Sequence, residues 1–346
     1  MQQMLRRTAV VVALLATVAA TVMRIVLAPQ MQSAGSGAFH PSYAVIAVLV
    51  AALAVVLALV LLGREPIPRA PELPRGGRLS VAWSSLFAGA VLTATTLFDG
   101  WMWMFHGTTP APNSTVISPL DGGALTLSMI FGIVGGLFLL WLGAHLLYHP
   151  VRRSGRLALA ALAPVAWIWF RLVRYELSYA SAVQVSQSFY DFMMFIFTML
   201  FLFAFARYVS GTGEKSPKTL LFYALGTAML SLSGVVTGVM LYYSGEAASY
   251  GMSNLANMAD LGMGVFGLCV AVSLAFTRPL PVEETAREES GAELAAPSVD
   301  PDTAAEETLP ASADEAFAPA DQTLAAEPAE KLAEETVDAL REGFRE

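Results

Sequence analysis

The chain has 346 residues and a formal net charge of −8; 55% of its residues are hydrophobic and only 14% are charged. About a quarter of the residues of a soluble domain are charged, so this composition excludes an ordinary soluble protein. Stretches of about 20 apolar residues recur along the chain, and each is long enough to cross a hydrocarbon core of ~30 Å. The single cysteine, Cys269, excludes a disulfide framework and a CxxC metal site.

Eight apolar stretches predict an all-α fold, a polytopic membrane helical bundle with eight transmembrane helices. Arg6 and Arg7 precede the first stretch, as in a signal peptide, but Arg24 interrupts it before any small-residue cleavage site, so we expect it to be retained. The approximate limits of the spans are Thr8–Ala28, Ala44–Leu62, Leu79–Phe98, Gly123–Leu147, Leu157–Leu177, Ser188–Tyr208, Thr219–Tyr243 and Asn257–Thr277.

The loops between these spans alternate in charge. Arginine or lysine occurs in the loops near residues 64–78, 152–156 and 215–218. Neither occurs in the alternate loops, which are residues 29–43, 107–122, 178–187 and 244–256. Because cytoplasmic loops carry the excess of Lys and Arg, the pattern predicts an even number of spans in a plasma-membrane protein with both termini in the cytoplasm.

The residues after the last span differ from the membrane domain, residues 1–277. Residues 278–346 contain 19 acidic and five basic side chains and almost no aromatic ones, which predicts a disordered acidic cytoplasmic tail. Within it, residues 328–344 could form a short helix with one apolar face. Anionic lipid would repel such an acidic helix, so its partner would be a cytoplasmic protein; the alternative is a solvated tail with a fraying helix.

Six ionisable residues within or directly after the predicted spans lie towards the same leaflet, opposite the arginine- and lysine-containing loops. Arg171, for example, is about 15 residues from Arg156, or ~22 Å into the core at 1.5 Å per residue. A charge at the centre of a span costs ~2.5–3.5 kcal/mol, and aspartate is too short to reach water as a long arginine does. The six candidate site residues are Arg24, Asp99, Arg171, Arg174, Asp191 and Asp260.

The neighbours of these charges indicate that they face protein and not lipid. Asp260 shares a helix face with Gly264 and Gly267, and small residues mark close contact between membrane helices. Arg171 shares a face with Trp167 and Pro164, and Pro164 should kink the fifth helix. Two interpretations remain open: the three cations and three anions pair with one another to fix the helix register, or they line a polar pocket.

The pocket interpretation predicts a protein that binds or transports a small polar solute, zwitterionic for example, from the outer side. The alternative is a non-catalytic membrane anchor whose acidic tail recruits a cytoplasmic protein. No P-loop, HExxH, GxSxG or Rossmann motif occurs, so no cofactor is predicted; a membrane enzyme that uses a few scattered polar residues is the third and least favoured alternative. His145 and His149 share a helix face, but interfacial polar residues are favoured over a metal or haem site. The expected partners are the bilayer and the solute, and nucleic acid is not expected.

Overall fold

The computed structural model describes residues 2–33, 42–63, 75–106, 119–149, 155–178, 185–210, 216–243 and 256–276. All regular elements in these ranges are α-helices, and no strand occurs in them. The helices described there are α1 (Gln2–Ser33), α2 (Ser42–Leu62), α3 (Arg75–His106), α4 (Pro119–Tyr148), α5 (Gly155–Ala160), α6 (Ala163–Ser178), α7 (Val185–Ser210), α8 (Ser216–Tyr243) and α9 (Ala256–Phe276).

Seven of the described helices are long and apolar enough to cross a membrane, namely α1, α2, α3, α4, α7, α8 and α9. This confirms the predicted class, an all-helical multi-pass membrane protein. The fifth predicted span is divided between α5 and α6, and the 16 residues of α6 reach only about 24 Å. The count of eight spans therefore stays a prediction. The acidic tail and its short helix lie outside the described residues.

The division of the fifth span lies beside Pro164, where the sequence predicts an irregularity. Residues 161–162 separate the two helices, and Pro164 is the second residue of α6. Proline suits the first turn of a helix because its missing N–H would have no partner there. The amide of Leu162 donates to the carbonyl of Leu159 at 3.1 Å within the turn, and the first hydrogen bond of α6 runs from the amide of Ala166 to the carbonyl of Leu162 at 2.9 Å. On α4, a Cβ added to Gly135 would lie 2.9 Å from the backbone of Pro164, so α6 begins in direct contact with α4.

Six helices close into a ring. Going round it, α3 packs on α4, α4 on α6, α6 on α7, α7 on α8, α8 on α9, and α9 on α3. In this order α6 and α9 stand opposite each other. Helices α1 and α2 pack together beside the ring, with α1 against α8 and α9 and α2 mainly against α8. Side chains that connect α6 with α9 must therefore cross the interior of the ring.

Three phenylalanines fill part of this interior. Phe201 and Phe205 of α7 contact Phe266 of α9, with ring centroids 5.4 and 5.0 Å apart. All three rings are buried, and their tilted, edge-on arrangement is one that aromatic pairs prefer. We call these three residues the phenylalanine layer. It connects α7 and α9, which both neighbour α8 in the ring.

Contacts between helix termini define the two ends of the bundle. Ser273, near the end of α9, donates its hydroxyl to the carbonyl of Gly77 at the start of α3, at 3.1 Å. The guanidinium of Arg7, near the start of α1, lies 4.9 Å from the ring of Phe276, the last residue of α9. We call this end of the bundle the basic end. The opposite end, where α9 begins and carries Asp260, is called the acidic end.

Candidate functional site

Arg171 of α6 and Asp260 of α9 form an ion pair across the interior of the six-helix ring. Nη1 of the arginine lies 2.6 Å from Oδ1 of the aspartate, and Nη2 lies 2.8 Å from Oδ2. Such bidentate pairs are the strongest hydrogen-bonded contacts of arginine with a carboxylate. Because α6 and α9 are not a closely packed pair in the described part of the chain, the ion pair links two walls of the ring that backbone packing leaves apart.

Aromatic side chains hold the guanidinium of Arg171 in place. Its Cζ lies 4.7 Å from the ring centre of Phe195 on α7 and 5.5 Å from that of Trp167, one turn earlier on α6. Both distances are within the ~6 Å over which a cation is attracted to a ring face. A Cβ added to Gly132 of α4 would lie 2.9 Å from the indole of Trp167, so this glycine makes room for the tryptophan. The side chain of Arg171 is 20% exposed and that of Asp260 only 2%.

Two further carboxylates and a second arginine lie close to the ion pair. The charges of Asp99 on α3 and Asp191 on α7 both act on the guanidinium of Arg171. The charges of Arg171 and Arg174 in turn act on Asp99. All three of these neighbours are half-buried. Asp99 makes no hydrogen bond or close ion pair with any residue that the structure describes, so its carboxylate oxygens are available to another donor.

Arg24 belongs to a neighbouring polar group built around Tyr190. The guanidinium of Arg24, on α1, lies 4.0 Å from the ring centre of Tyr190 on α7, and both residues are buried. The phenol of Tyr190 donates to the carbonyl of Leu230 and lies 2.5 Å from the hydroxyl oxygen of Ser233, both on α8. Asp191 follows Tyr190 in the chain, and its charge acts on Tyr190 as well as on Arg171. The two polar groups therefore adjoin each other.

All six residues that the sequence singled out thus lie at the acidic end, and five of them surround or form the ion pair. Those five are Asp99, Arg171, Arg174, Asp191 and Asp260. Arg24 stands on α1, outside the ring. Sequence reasoning missed Tyr190, Phe195 and Ser233, because a tyrosine, a phenylalanine and a serine are unremarkable in a membrane helix; the position of Tyr190 directly before an intramembrane aspartate was the available signal. A ligand-binding role for the six stays a prediction.

This arrangement can receive charge of either sign. The fork of an arginine matches a carboxylate or phosphate, and the half-buried carboxylates attract an ammonium group. Interactions of this kind are stronger in the interior of a bundle than in water because the effective dielectric constant is lower.

The two histidines near the end of α4 are remote from this site. His145 lies in the last turn of α4 and His149 directly follows the helix, at the basic end. The ring of His145 stacks on Trp141 at 5.3 Å and lies 5.4 Å from that of His149. Among the described residues, no group of three or more His, Cys, Asp and Glu side chains could hold a metal ion.

Comparison of the chain with family models, curated proteins and solved structures gives no match in any of the three. The function of the acidic-end site must therefore be argued from its own side chains.

Proposed function

We propose that the protein binds a small polar solute of mixed charge at the acidic end of the six-helix ring and moves it across the membrane. The observation that carries this proposal is the bidentate Arg171–Asp260 pair, with Asp99, Arg174 and Asp191 within electrostatic reach of it. If the ion pair served only to hold α6 and α9 together, Arg171 and Asp260 would be sufficient. An ionisable side chain is costly inside a membrane, and among the three neighbours Asp99 makes no hydrogen bond to a described residue, so a bound solute would give its carboxylate a donor.

Asp99 supports the solute interpretation most directly. Its carboxylate is half-buried beside two guanidinium groups, and no described residue donates a hydrogen bond to it. A positively charged group of a solute would be stabilised there by Asp99 and Asp191. A carboxylate of the same solute would be stabilised by Arg174, whose guanidinium supplies a planar fork of donors.

The chemistry of the site favours a zwitterion over an ion of one sign. The ion pair and its three ionisable neighbours together carry two positive and three negative formal charges, so neither sign dominates strongly. An amino acid or a short peptide offers both an ammonium and a carboxylate group. It can therefore place each of its own two charges beside side chains of the opposite sign.

Two features between the site and the basic end support movement of the solute across the membrane. The phenylalanine layer lies between the ion pair and the basic end, since Phe266 follows Asp260 along α9 by six residues, about 9 Å at 1.5 Å per residue. The fifth predicted span is interrupted between α5 and α6. Interrupted helices are common in transporters.

The distribution of lysine and arginine orients this site. The loops at the acidic end contain neither residue type, and those at the basic end contain both. By the positive-inside rule the acidic end faces the outside of the cell and both termini face the cytoplasm. The proposed solute would thus enter from the outer side of the plasma membrane. The alternative, an anchor whose tail recruits a protein, concerns residues outside the described ranges.

Uptake into proteoliposomes tests the proposal. The full-length protein would be reconstituted and offered a panel of radiolabelled amino acids and dipeptides. Asp99→Asn and Arg174→Gln should abolish uptake of the solutes that the unchanged protein accumulates. Asp99→Glu, which keeps the charge, should retain part of the uptake. Because Asp99 makes no direct bond to the described residues, Asp99→Asn should unfold at the same temperature as the unchanged protein. Full uptake by Asp99→Asn, or no solute accumulated by the unchanged protein, would refute the proposal.

A further inference from the structure

Two buried hydroxyl groups of α8 have no hydrogen-bond partner among the described residues. They are Oγ1 of Thr227 and Oγ of Ser231, and both residues are 0% exposed. A buried polar group without a partner is destabilising, and nearly all such groups in native proteins find one. These two hydroxyls therefore point to a partner that is neither a side chain nor a carbonyl of the described residues.

The other buried serines and threonines in the described part of the chain do have hydrogen-bond partners. Ser233 and Thr237, also on α8, donate to the carbonyl one turn earlier on the helix. The remaining buried hydroxyl residues with partners are Ser84, Ser85, Thr95, Thr96, Thr198 and Ser273. Thr227 and Ser231 are thus two exceptions on the same helix, one turn apart.

Both exceptions lie on the side of α8 between α7 and α9. A Cβ added to Gly264 of α9 would lie 3.0 Å from Cβ of Ser231, and Gly226, the neighbour of Thr227 in the chain, packs against α7. At about 100° per residue, Thr227 lies between these two contacts and opposite Val236, which is exposed. The two hydroxyl residues therefore belong to the face of α8 that is turned towards the interior of the six-helix ring.

Ser231 lies one helical turn nearer the basic end than the ion pair. Its neighbour Gly264 follows Asp260 by four residues on α9, and the two share a helix face. Four residues correspond to about 6 Å at 1.5 Å per residue, close to the length of a glutamine side chain. A solute whose charged groups lie beside the ion pair can thus extend an uncharged side chain as far as Ser231.

Thr227 lies one turn further, at the level of the phenylalanine layer. A Cβ added to Gly267 would lie 2.9 Å from the carbonyl oxygen of Ala224, which is the next close contact between α8 and α9. Phe266 directly precedes Gly267 and is therefore level with Thr227. The two hydroxyls thus occupy the stretch of α8 between the ion pair and the phenylalanine layer, where the proposed solute would pass.

Hydroxyl groups suit an uncharged partner that both accepts and donates hydrogen bonds. The Cβ atoms of residues one turn apart are about 5–6 Å from each other, a separation that an amide group can bridge with its C=O and N–H. We infer that Thr227 and Ser231 form a subsite that binds an uncharged hydrogen-bonding group of the solute, an amide above all. The subsite rests on the proposed function and narrows the solute to a zwitterion with a polar, uncharged side chain.

Uptake of matched solutes into proteoliposomes tests this inference. Glutamine and methionine have side chains of similar length, and of the two only glutamine carries an amide. Each would be offered to the full-length protein as the free amino acid and as the second residue of a dipeptide with alanine. The glutamine form should reach half-saturation at a concentration about tenfold lower or more, because a site with buried hydrogen-bonding groups rejects an analogue that leaves them unpaired.

Ser231→Ala and Thr227→Val remove the hydroxyls with little change in shape. Each should reduce the preference for glutamine about five- to tenfold and leave uptake of the methionine form unchanged. In the absence of solute, each should unfold at or above the temperature of the unchanged protein, since an unpaired polar atom is lost. Thr237→Val is the matched control: this buried hydroxyl donates to the carbonyl of Ser233 at 2.7 Å, and its removal should keep the full preference.

The possible failures are distinguishable. Equal uptake of the glutamine and methionine forms, or a preference that survives in the double variant, would overturn the subsite and leave the solute site in place. A lower unfolding temperature of Ser231→Ala and Thr227→Val without solute would give the hydroxyls a permanent partner, such as an ordered water, and would also overturn the subsite. Uptake of no solute at all would overturn the proposed function together with it.

Discussion

Removing the two partners of the ion pair should have unequal effects on stability. The guanidinium of Arg171 is acted on by the charges of Asp260, Asp99 and Asp191. Asp260, in contrast, has Arg171 as its charged partner among the described residues. Arg171→Met therefore leaves a carboxylate that is 2% exposed without a counter-charge. Asp260→Asn leaves an arginine that still has two carboxylates nearby and an amide oxygen as acceptor.

The expected magnitudes follow from this difference. Arg171→Met should lower the free energy of unfolding by about 3–5 kcal/mol, the cost of leaving a buried charge unpaired. Asp260→Asn should lower it by about 1–2 kcal/mol, because a hydrogen bond between charged groups becomes one to a neutral group. The double variant no longer contains the isolated carboxylate. It should therefore be more stable than Arg171→Met alone, with a coupling energy between the two sites of about 2 kcal/mol or more.

Unfolding of the full-length protein in mixed micelles of a neutral detergent and dodecyl sulfate, followed by tryptophan fluorescence, would measure these differences. Asp99→Asn is the matched control, since it removes the same charge from a carboxylate with no direct partner among the described residues. Equal losses of stability in Arg171→Met and Asp260→Asn, with a loss in the double variant equal to their sum, would show that the two side chains are not coupled.

Three further substitutions test the packing by the same unfolding assay. Gly135→Val should lower the free energy of unfolding by about 1–3 kcal/mol, because its Cβ would lie 2.9 Å from the backbone of Pro164. Its control on the same helix is Gly123→Ala, whose Cβ would have nothing within 4 Å; this change should raise the free energy of unfolding by about 0.5–1 kcal/mol. Tyr190→Phe should cost about 1–2 kcal/mol through the loss of two hydrogen bonds of the phenol. Phe266→Ala, fully buried in the phenylalanine layer, should cost about 3–5 kcal/mol. An unchanged midpoint in any costly variant would contradict the contact that it tests.

The membrane class and the clustering of charges at one end could be predicted because each depends on the chain alone. The length of an apolar stretch is set by the thickness of the bilayer. The depth of a charge follows from its distance along the helix, so Asp99 and Asp260 could be placed near one leaflet without knowledge of their neighbours. The face shared by Asp260, Gly264 and Gly267 was likewise readable from the helical period, and the two glycines do pack against α8.

The pairing of particular charges could not be predicted. Periodicity gives the face of each helix but not the helix that it meets, and three arginines with three aspartates allow many combinations. Arg171 meets Asp260 because α6 and α9 stand opposite each other in the ring, and that order results from all the helix contacts together. In the same way, Pro164 indicated where the fifth span would be irregular, but the separation into α5 and α6 depends on the close approach of Gly135.

These contacts attach α6 to the bundle in two different ways. Near its start, Pro164 is held sterically against α4, and apolar packing of this kind is indifferent to solutes. Towards the acidic end, Arg171 is held to α9 by an ion pair that crosses the ring. Lipid gives packed helices little hydrophobic reason to stay together, so at that end the ion pair has a large share in the attachment. A solute with a carboxylate and an ammonium group competes for both halves of it. Under the proposed function, the second half of α6 is therefore the part of the bundle whose position a bound solute can change.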